Sequence, residues 1–391
     1  LLPGETPYTF DETNFYLPAI RDIQATWPRF DVSRNSLSAT APGYQYVLAT
    51  LGLATDSSLL AFRLINLGIS LLLPIVLWFS WSPATPGAVR FWSILPLAGG
   101  CFFVRSACNV MTDNAALLGA TVALALVLVP RFEAAIGGSG LAAAASVAIR
   151  QISVWVEAPL LVRLWFIGRR APWWTAVLAP AVVLALIVTW GGLVPPAWRT
   201  HTIGLGYSAA PYQFAVLAVL GGFFLHAAGI DWRGALRDHL AWSGAAIGLV
   251  SALYCATSTV YDAGRWGGYF WSAAERLPVI ADRSVVFLLL APIGGAMLAR
   301  LGHRLWVQAG PALTLAWLAA FGAFFASGIL NRQVHQRYYE PVMLVLLMFW
   351  LALVSDRPGA APVNIRPLLL LTAGQVGITL LTAYGRTFGY F

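Results

Sequence analysis

A chain of 391 residues that is 59% hydrophobic and only 10% charged, with a mean hydropathy of +0.73, is too apolar for a soluble domain, where about a quarter of residues are charged. Its net charge of +8 comes from 24 basic residues, all arginine, spread over many short loops, which argues against a nucleic-acid surface and for lipid headgroups or an anionic lipid substrate. Cys101, Cys108 and Cys255 lie in or near apolar runs and show neither metal-ligand spacing nor a disulfide framework.

The chain opens on LLPGETP, so a signal-like or membrane-crossing segment is expected ahead of Leu1. Residues 8–48 form the longest polar stretch at the head of the chain. They hold the adjacent carboxylates Asp11 and Glu12, then Asp22, Asp31, Arg21, Arg29 and Arg34, with aromatic residues between them. Asp11 and Glu12 suit the cap and first turn of a helix over 13–23. They equally suit a proton-handling site at a membrane face. Pro42-Gly43 marks a turn, and 44–53 reads as a short interfacial helix with Tyr44 and Tyr46 at the water boundary. Thr55-Asp56-Ser57 caps the segment that follows.

From residue 59 to 383 the sequence offers about twelve apolar runs approaching the roughly 20 residues that a span requires. They fall at 59–79, 91–107, 112–130, 133–149, 152–168, 172–190, 212–230, 240–257, 283–300, 307–329, 341–355 and 366–383. The pair 91–107 and 112–130 reads as a hairpin with a polar tip, and Thr112-Asp113-Asn114 is placed to cap its second arm. Glu157 and Arg163 lie inside an apolar run, six apart and on different faces, so each needs a partner or a wet cavity. No internal repeat is evident. The pattern predicts an all-α, polytopic helical bundle forming one transmembrane domain, with residues 8–58 as its first external loop.

If the spans alternate, short loops bearing Arg90, Arg131, Arg169-Arg170, Arg233 and Arg237, Arg300 and Arg304, and Arg357 and Arg366 share the cytoplasmic side. The other face receives residues 8–48, 109–114, Arg150, 191–211, 258–282 and 330–336, the long loops rich in aromatic and acidic residues. A site is therefore expected away from the cytoplasm.

A carboxylate on that face can take a proton from a hydroxyl, and an arginine fork can hold phosphate oxygens. Arg150 with Gln151, and His335 with Arg337, Tyr338 and Tyr339, sit at span mouths and are candidates for phosphate or sugar contacts. Asp113 is either a cap or part of the site. Asp262, Arg265, Trp266 and Trp271 are candidates to line an acceptor groove, a lid or an interfacial belt. Glu340 is a further ligand candidate or neutralises an arginine inside the bundle. No nucleotide-binding loop, HExxH or tight His/Cys cluster is present, so no cofactor or protein-held catalytic metal is expected, with a loosely held divalent cation beside a phosphate left open.

Taken in order, these fragments resemble the GT-C superfamily of polyprenyl-phosphate-sugar-dependent membrane glycosyltransferases. The resemblance is greatest to the dolichyl-phosphate-glucose-dependent alpha-1,2-glucosyltransferases. The fragments are Asp11-Glu12 with the helix through Pro18, Ala39 through Tyr46, Phe62-Arg63-Leu64-Ile65-Asn66, Arg150-Gln151 through Trp155, and Asn331 through Tyr339. Departures include Ile152-Ser153 where the family has Thr-Asn, and the missing Gly-Asp-Lys-Ser motif near Gly204. The resemblance implies a GT-C bundle with its active site in external loops, Asp11 as base and Glu12 in support. It also implies inverting transfer of a hexose, possibly glucose in a bacterial relative, from a polyprenyl-phosphate-sugar donor to a lipid-linked or envelope glycan acceptor. The expected location is a bacterial inner membrane, with the site facing the periplasm or exterior. Rival readings are a flippase or transporter of lipid-linked saccharides, a polymerase or ligase of lipid-linked oligosaccharides, and an assembly protein without catalysis.

Overall fold

The computed structural model describes residues 10–29, 31–32, 37–199, 204–230, 238–255, 266–331, 333–357 and 360–387. The chain is an all-α polytopic membrane protein. Among the described residues, seven helices are long and apolar enough to cross a bilayer, and an eighth crossing results if the pair broken at Gly99-Gly100 counts as one. Three shorter apolar helices, at Asp113–Leu128, Gly137–Ile149 and His239–Tyr254, accompany them. The apolar run at 152–168 is split into a 3-10 segment and an eleven-residue helix.

The chain forms two compact units, Leu1–Val76 with Phe102–Ile203, and Leu77–Cys101 with Gly204–Phe391. The first contains a π-helical turn at Glu12–Tyr16, α1 (Leu17–Thr26), α2 (Gly43–Leu53) and most of α3 (Leu59–Ser80). It continues with the residues of α5 beyond Cys101, α6 (Asp113–Leu128), α7 (Gly137–Ile149), α8 (Glu157–Ile167) and α9 (Leu178–Trp190). In the second, α4 (Gly87–Ala98) leads into α5 (Cys101–Cys108). The remainder is α10 (Ala209–Ala227), α11 (His239–Tyr254), β1 (Trp266–Gly267), α12 (Tyr269–Glu275), β2 (Val279–Ile280), β3 (Arg283–Ser284), α13 (Val285–Ala309), α14 (Pro311–Ile329), β4 (Val334–His335), α15 (Gln336–Ser355) and α16 (Arg366–Thr387).

In the first unit α1 lies against α2. Ile20, Ile23, Tyr44, Leu48, Phe62, Val110 and Met111 close one core. Tyr44 and Tyr46 are inside it, not at an interface. The Tyr44 hydroxyl donates to Asn66 Oδ1 at 2.7 Å, and the Tyr46 hydroxyl accepts from the Asp31 amide at 2.8 Å. A tyrosine carries the same amphipathic signature in either place. The cap of α3 comes from Ser58, whose Oγ accepts the Ala61 amide, while Asp56 accepts the Ser58 amide.

In the second unit α10 and α11 pack on α13. The approach is so close that a side chain at Gly294 would overlap the Phe214 carbonyl, and Gly244 faces Gly295 directly. Small residues permit such backbone contact in lipid, where van der Waals packing drives helix association. α15 is this unit's central helix, with 83% of its apolar window buried by protein.

Candidate functional site

The first polar turn of the chain separates its two carboxylates. Consecutive positions on a helical turn point about 100° apart, so one can enter the core while the other stays near water. Glu12 is 1% exposed. Its Oε1 accepts Arg63 Nε at 3.0 Å and the Val110 amide at 2.8 Å, and its Oε2 accepts Arg63 Nη2 at 2.5 Å. This bidentate, charge-assisted arrangement fastens the π-helical turn to α3 and to the loop before α6. With both oxygens engaged, Glu12 is placed to position the turn and Arg63. Asp11 is half-buried and stands at the N-cap, without a side-chain capping bond.

The loop before α6 is held from below by Asn66, whose amide donates to the carbonyls of Ser106, Ala107 and Asn109 at 2.6, 3.2 and 2.7 Å. Asn114 donates to Ser70 Oγ and to the Phe103 carbonyl, both at 3.0 Å. Polar residues inside a bundle must be paired, and these pairs turn sequence-distant segments into one rigid floor. Above it, Asp113 is ion-paired to Arg150; it is the first residue of α6, with Thr112 at the N-cap position. The buried Tyr16 hydroxyl bonds Thr112 Oγ1 at 3.3 Å. Burial, then the Asp113 carboxylate, pushes this phenol up to about 12, with Arg150 opposing and Asp11 adding to the rise. All three charges therefore lie near one tyrosine.

Gln151 holds the preceding loop. Its Oε1 accepts the Ala41 amide at 2.9 Å, and its Nε2 donates to the carbonyls of Ala39 and Leu193 at 2.7 and 3.0 Å. The sequence pairing of Arg150 with Gln151 thus combines a charge at the cluster with a brace beside it. Phe15 packs edge-on against Phe10 and Trp198 at 5.5 and 5.2 Å, giving an aromatic border next to Asp11.

The remaining candidates belong to the second unit. Asp262 and Arg265 lie outside the described residues. Trp266 begins β1, which pairs in parallel with β4 so that Trp266 faces Val334 and Gly267 faces His335. Arg337 donates to the Tyr338 hydroxyl at 3.0 Å, and the His335 ring meets Tyr338 edge-on at 5.4 Å. Trp271 is buried, stacked on Tyr212 at 4.8 Å and donating to the Val334 carbonyl at 3.0 Å. It is a core residue of this unit, not an open sugar platform. Glu340 does not neutralise an arginine. It accepts from Gln336 and Gln375 amides at 2.6 and 2.9 Å and from the Tyr269 hydroxyl.

Arg163 finds its partner in Glu133 at 3.0 Å and the Val127 carbonyl at 3.1 Å. Both carboxylate oxygens of Glu157 are buried, with no hydrogen-bond partner among the described residues. Among the described residues, no group of three or more His, Cys, Asp or Glu is arranged to hold a metal. Sequence reasoning missed Tyr16, Thr112 and the Val110 amide as members of this polar cluster. None carries a motif, and each acts only through a partner roughly a hundred residues away. No protein-family model, curated protein or solved structure matches this chain.

Proposed function

We propose that this protein is a membrane glycosyltransferase of GT-C type that transfers a hexose from a polyprenyl-phosphate-sugar to a lipid-linked or envelope glycan acceptor. The single supporting observation is the division of labour in the first unit. A half-exposed Asp11 stands on a turn anchored by the buried Glu12–Arg63 pair, and it shares with the Arg150–Asp113 pair an influence on the buried Tyr16 phenol. The reaction asks for such a set. Asp11 takes the proton of the acceptor hydroxyl, whose oxygen bonds the anomeric carbon as the carbon–phosphate-oxygen bond breaks. The electron pair leaves with the polyprenyl phosphate, and the anomeric centre inverts. Arg150 supplies positive charge for the departing phosphate, exchanging part of its interaction with Asp113 for the new anion. Glu12 and Gln151 hold the turn and the loop in place. The site belongs on the periplasmic or exterior side of a bacterial inner membrane.

The test is turnover of purified protein with a set of polyprenyl-monophosphate sugars and a lipid-oligosaccharide acceptor, resolved by mass. Transfer without nucleotide sugar is expected. Asp11→Asn keeps the size and cap preference of the side chain and should lower turnover about 10²–10⁴-fold, the range for a lost general base, with the thermal midpoint unchanged. Turnover that needs a nucleotide sugar, or an Asp11→Asn variant within a few-fold of the parent, defeats the proposal.

A further inference from the structure

The second unit carries a lateral groove whose lining includes none of the candidate site residues discussed above. It is a cavity of about 470 Å³ between α10, α11, α13 and α14, within the size range of small-molecule sites. Its walls are apolar almost throughout, including Leu240 and Ile247 of α11, Leu298 and Trp306 of α13 and Leu318 of α14. Leu240, Ile247 and Trp306 are also exposed on the surface, so the groove opens sideways, toward lipid in a bilayer.

One end is cationic. His303 lines the groove and is exposed, and Arg304 follows it on α13. Arg300, one turn earlier, donates to Asp238 at 2.7 Å. Asp238 also accepts the Leu240 amide at 3.0 Å as the cap of α11. Among the described residues at this end, Asp238 is paired with Arg300, and Arg304, next in sequence to the groove-lining His303, adds a further positive charge. The N-terminus of α11, capped by Asp238, lies at the same end, as does the junction at Gly310 where the C-terminus of α13 and the N-terminus of α14 meet and largely offset each other.

An apolar trough with one positive end and a tryptophan beside it reproduces the layout of a membrane lipid. Its volume is on the order of fifteen times a water molecule's share of the liquid, about 30 Å³, room for a chain segment and not for a single small ion. An extended peptide would leave its backbone groups unpaired against walls that offer almost no polar atoms. We propose that the groove retains an anionic diacyl phospholipid, with one acyl chain along α11 and α13 and the phosphate beside His303 and Arg304. This reading does not depend on the proposed transferase activity.

The experiment uses the full chain, purified in mild detergent and stripped of lipid, then titrated with phosphatidylglycerol or phosphatidylcholine of identical acyl chains. Bound lipid is counted by native mass spectrometry. The positive end should favour phosphatidylglycerol about tenfold, on the order of the attraction between an arginine near the membrane surface and an anionic headgroup. The double variant His303→Gln/Arg304→Gln should bring that preference to within about threefold. Ser243→Phe, which fills the groove from an exposed position on α11, should reduce retention of both lipids. If Ser243→Phe does not fold, Gly302→Val replaces it, since an added Cβ there meets only the Leu318 side chain. Equal retention of the two lipids by the parent overturns the proposal. So does undiminished retention in the folded groove-filling variant, or a dimer that the filling variant dissolves.

Discussion

Removal of the Glu12 carboxylate tests whether the polar head of the chain is a built frame. In Glu12→Ala the Arg63 guanidinium loses both of its bonds to Glu12, and the Val110 amide loses its acceptor. Removing one member of a buried ion pair costs about 3–5 kcal/mol, because the other charge stays buried and unpaired. The Arg63 side chain is 12% exposed and Glu12 is 1% exposed, so some water reaches the orphaned cation and the low end, about 3 kcal/mol, applies. For a unit of this size each kcal/mol lowers the melting midpoint by about 2–4 °C, giving a fall of about 6–12 °C. Glu12→Gln keeps an acceptor for Val110 or Arg63 and should fall less. In a double-mutant cycle, Glu12→Gln/Arg63→Gln should be less destabilised than the sum of the single variants, since paired neutral groups leave no orphan charge. The assay is thermal unfolding in detergent, followed by loss of monodisperse protein. A Glu12→Ala midpoint within 1 °C of the parent refutes the frame. A normal midpoint with abolished turnover would move the base function from Asp11 to Glu12.

Gly294→Val should destabilise the second unit by more than about 1–3 kcal/mol, because the new side chain meets the Phe214 backbone and not a movable side chain; Gly322→Ala, with open space around it, should melt at or slightly above the parent temperature. Tyr16 contributes stability that is fully present below its ordinary value of 10.0 and lost as pH rises toward its folded value of about 12, because in that window the unfolded phenol releases its proton while the folded one keeps it. Tyr16→Phe should therefore flatten the fall of the melting midpoint between about pH 10 and 12, at a neutral-pH cost of about 1 kcal/mol for the lost Thr112 bond; an unchanged alkaline slope argues against it. With Cys101, Cys108 and Cys255 replaced, a single cysteine at Asp22 should react with a membrane-impermeant reagent from the opposite side to one at Ala235, and same-side labelling would refute the assigned topology.

The membrane helices were legible where a long apolar run ended abruptly. The run expected at 59–79 is α3 at Leu59–Ser80, and that at 172–190 is a helical stretch at Trp173–Trp190. The boundaries failed where polar residues continue a helix. α13 runs on to Ala309 through Arg300, Gly302, His303 and Arg304, and α15 begins at Gln336, ahead of the apolar run expected from 341. Polarity was read there as a loop signal, although arginine and glutamine are good helix formers and long side chains can reach water from a helix end. α10 begins at Ala209, before the expected 212, because Pro211 is tolerated in a first turn.

The site was legible only at its charged ends. Asp11, Asp113 and Arg150 attract attention as charges beside apolar runs, but what joins them is invisible in a linear pattern: a backbone amide at Val110, one phenol at Tyr16, and an asparagine on α3 that gathers three carbonyls. The same limit explains Glu340, whose partners come from α12, α15 and α16. Its neighbours in sequence suggested an arginine, yet three neutral donors satisfy it. Asp11 and Glu12 show why adjacency is a poor guide to shared function. Neighbouring carboxylates on one turn cannot occupy the same surroundings, and here the turn buries and saturates one while leaving the other half-exposed. A site that needs a fixed base gains from that asymmetry. In the proposed transferase, the charge that would react stays reachable, and the charge beside it, held by Arg63, fixes the backbone from which the first one projects.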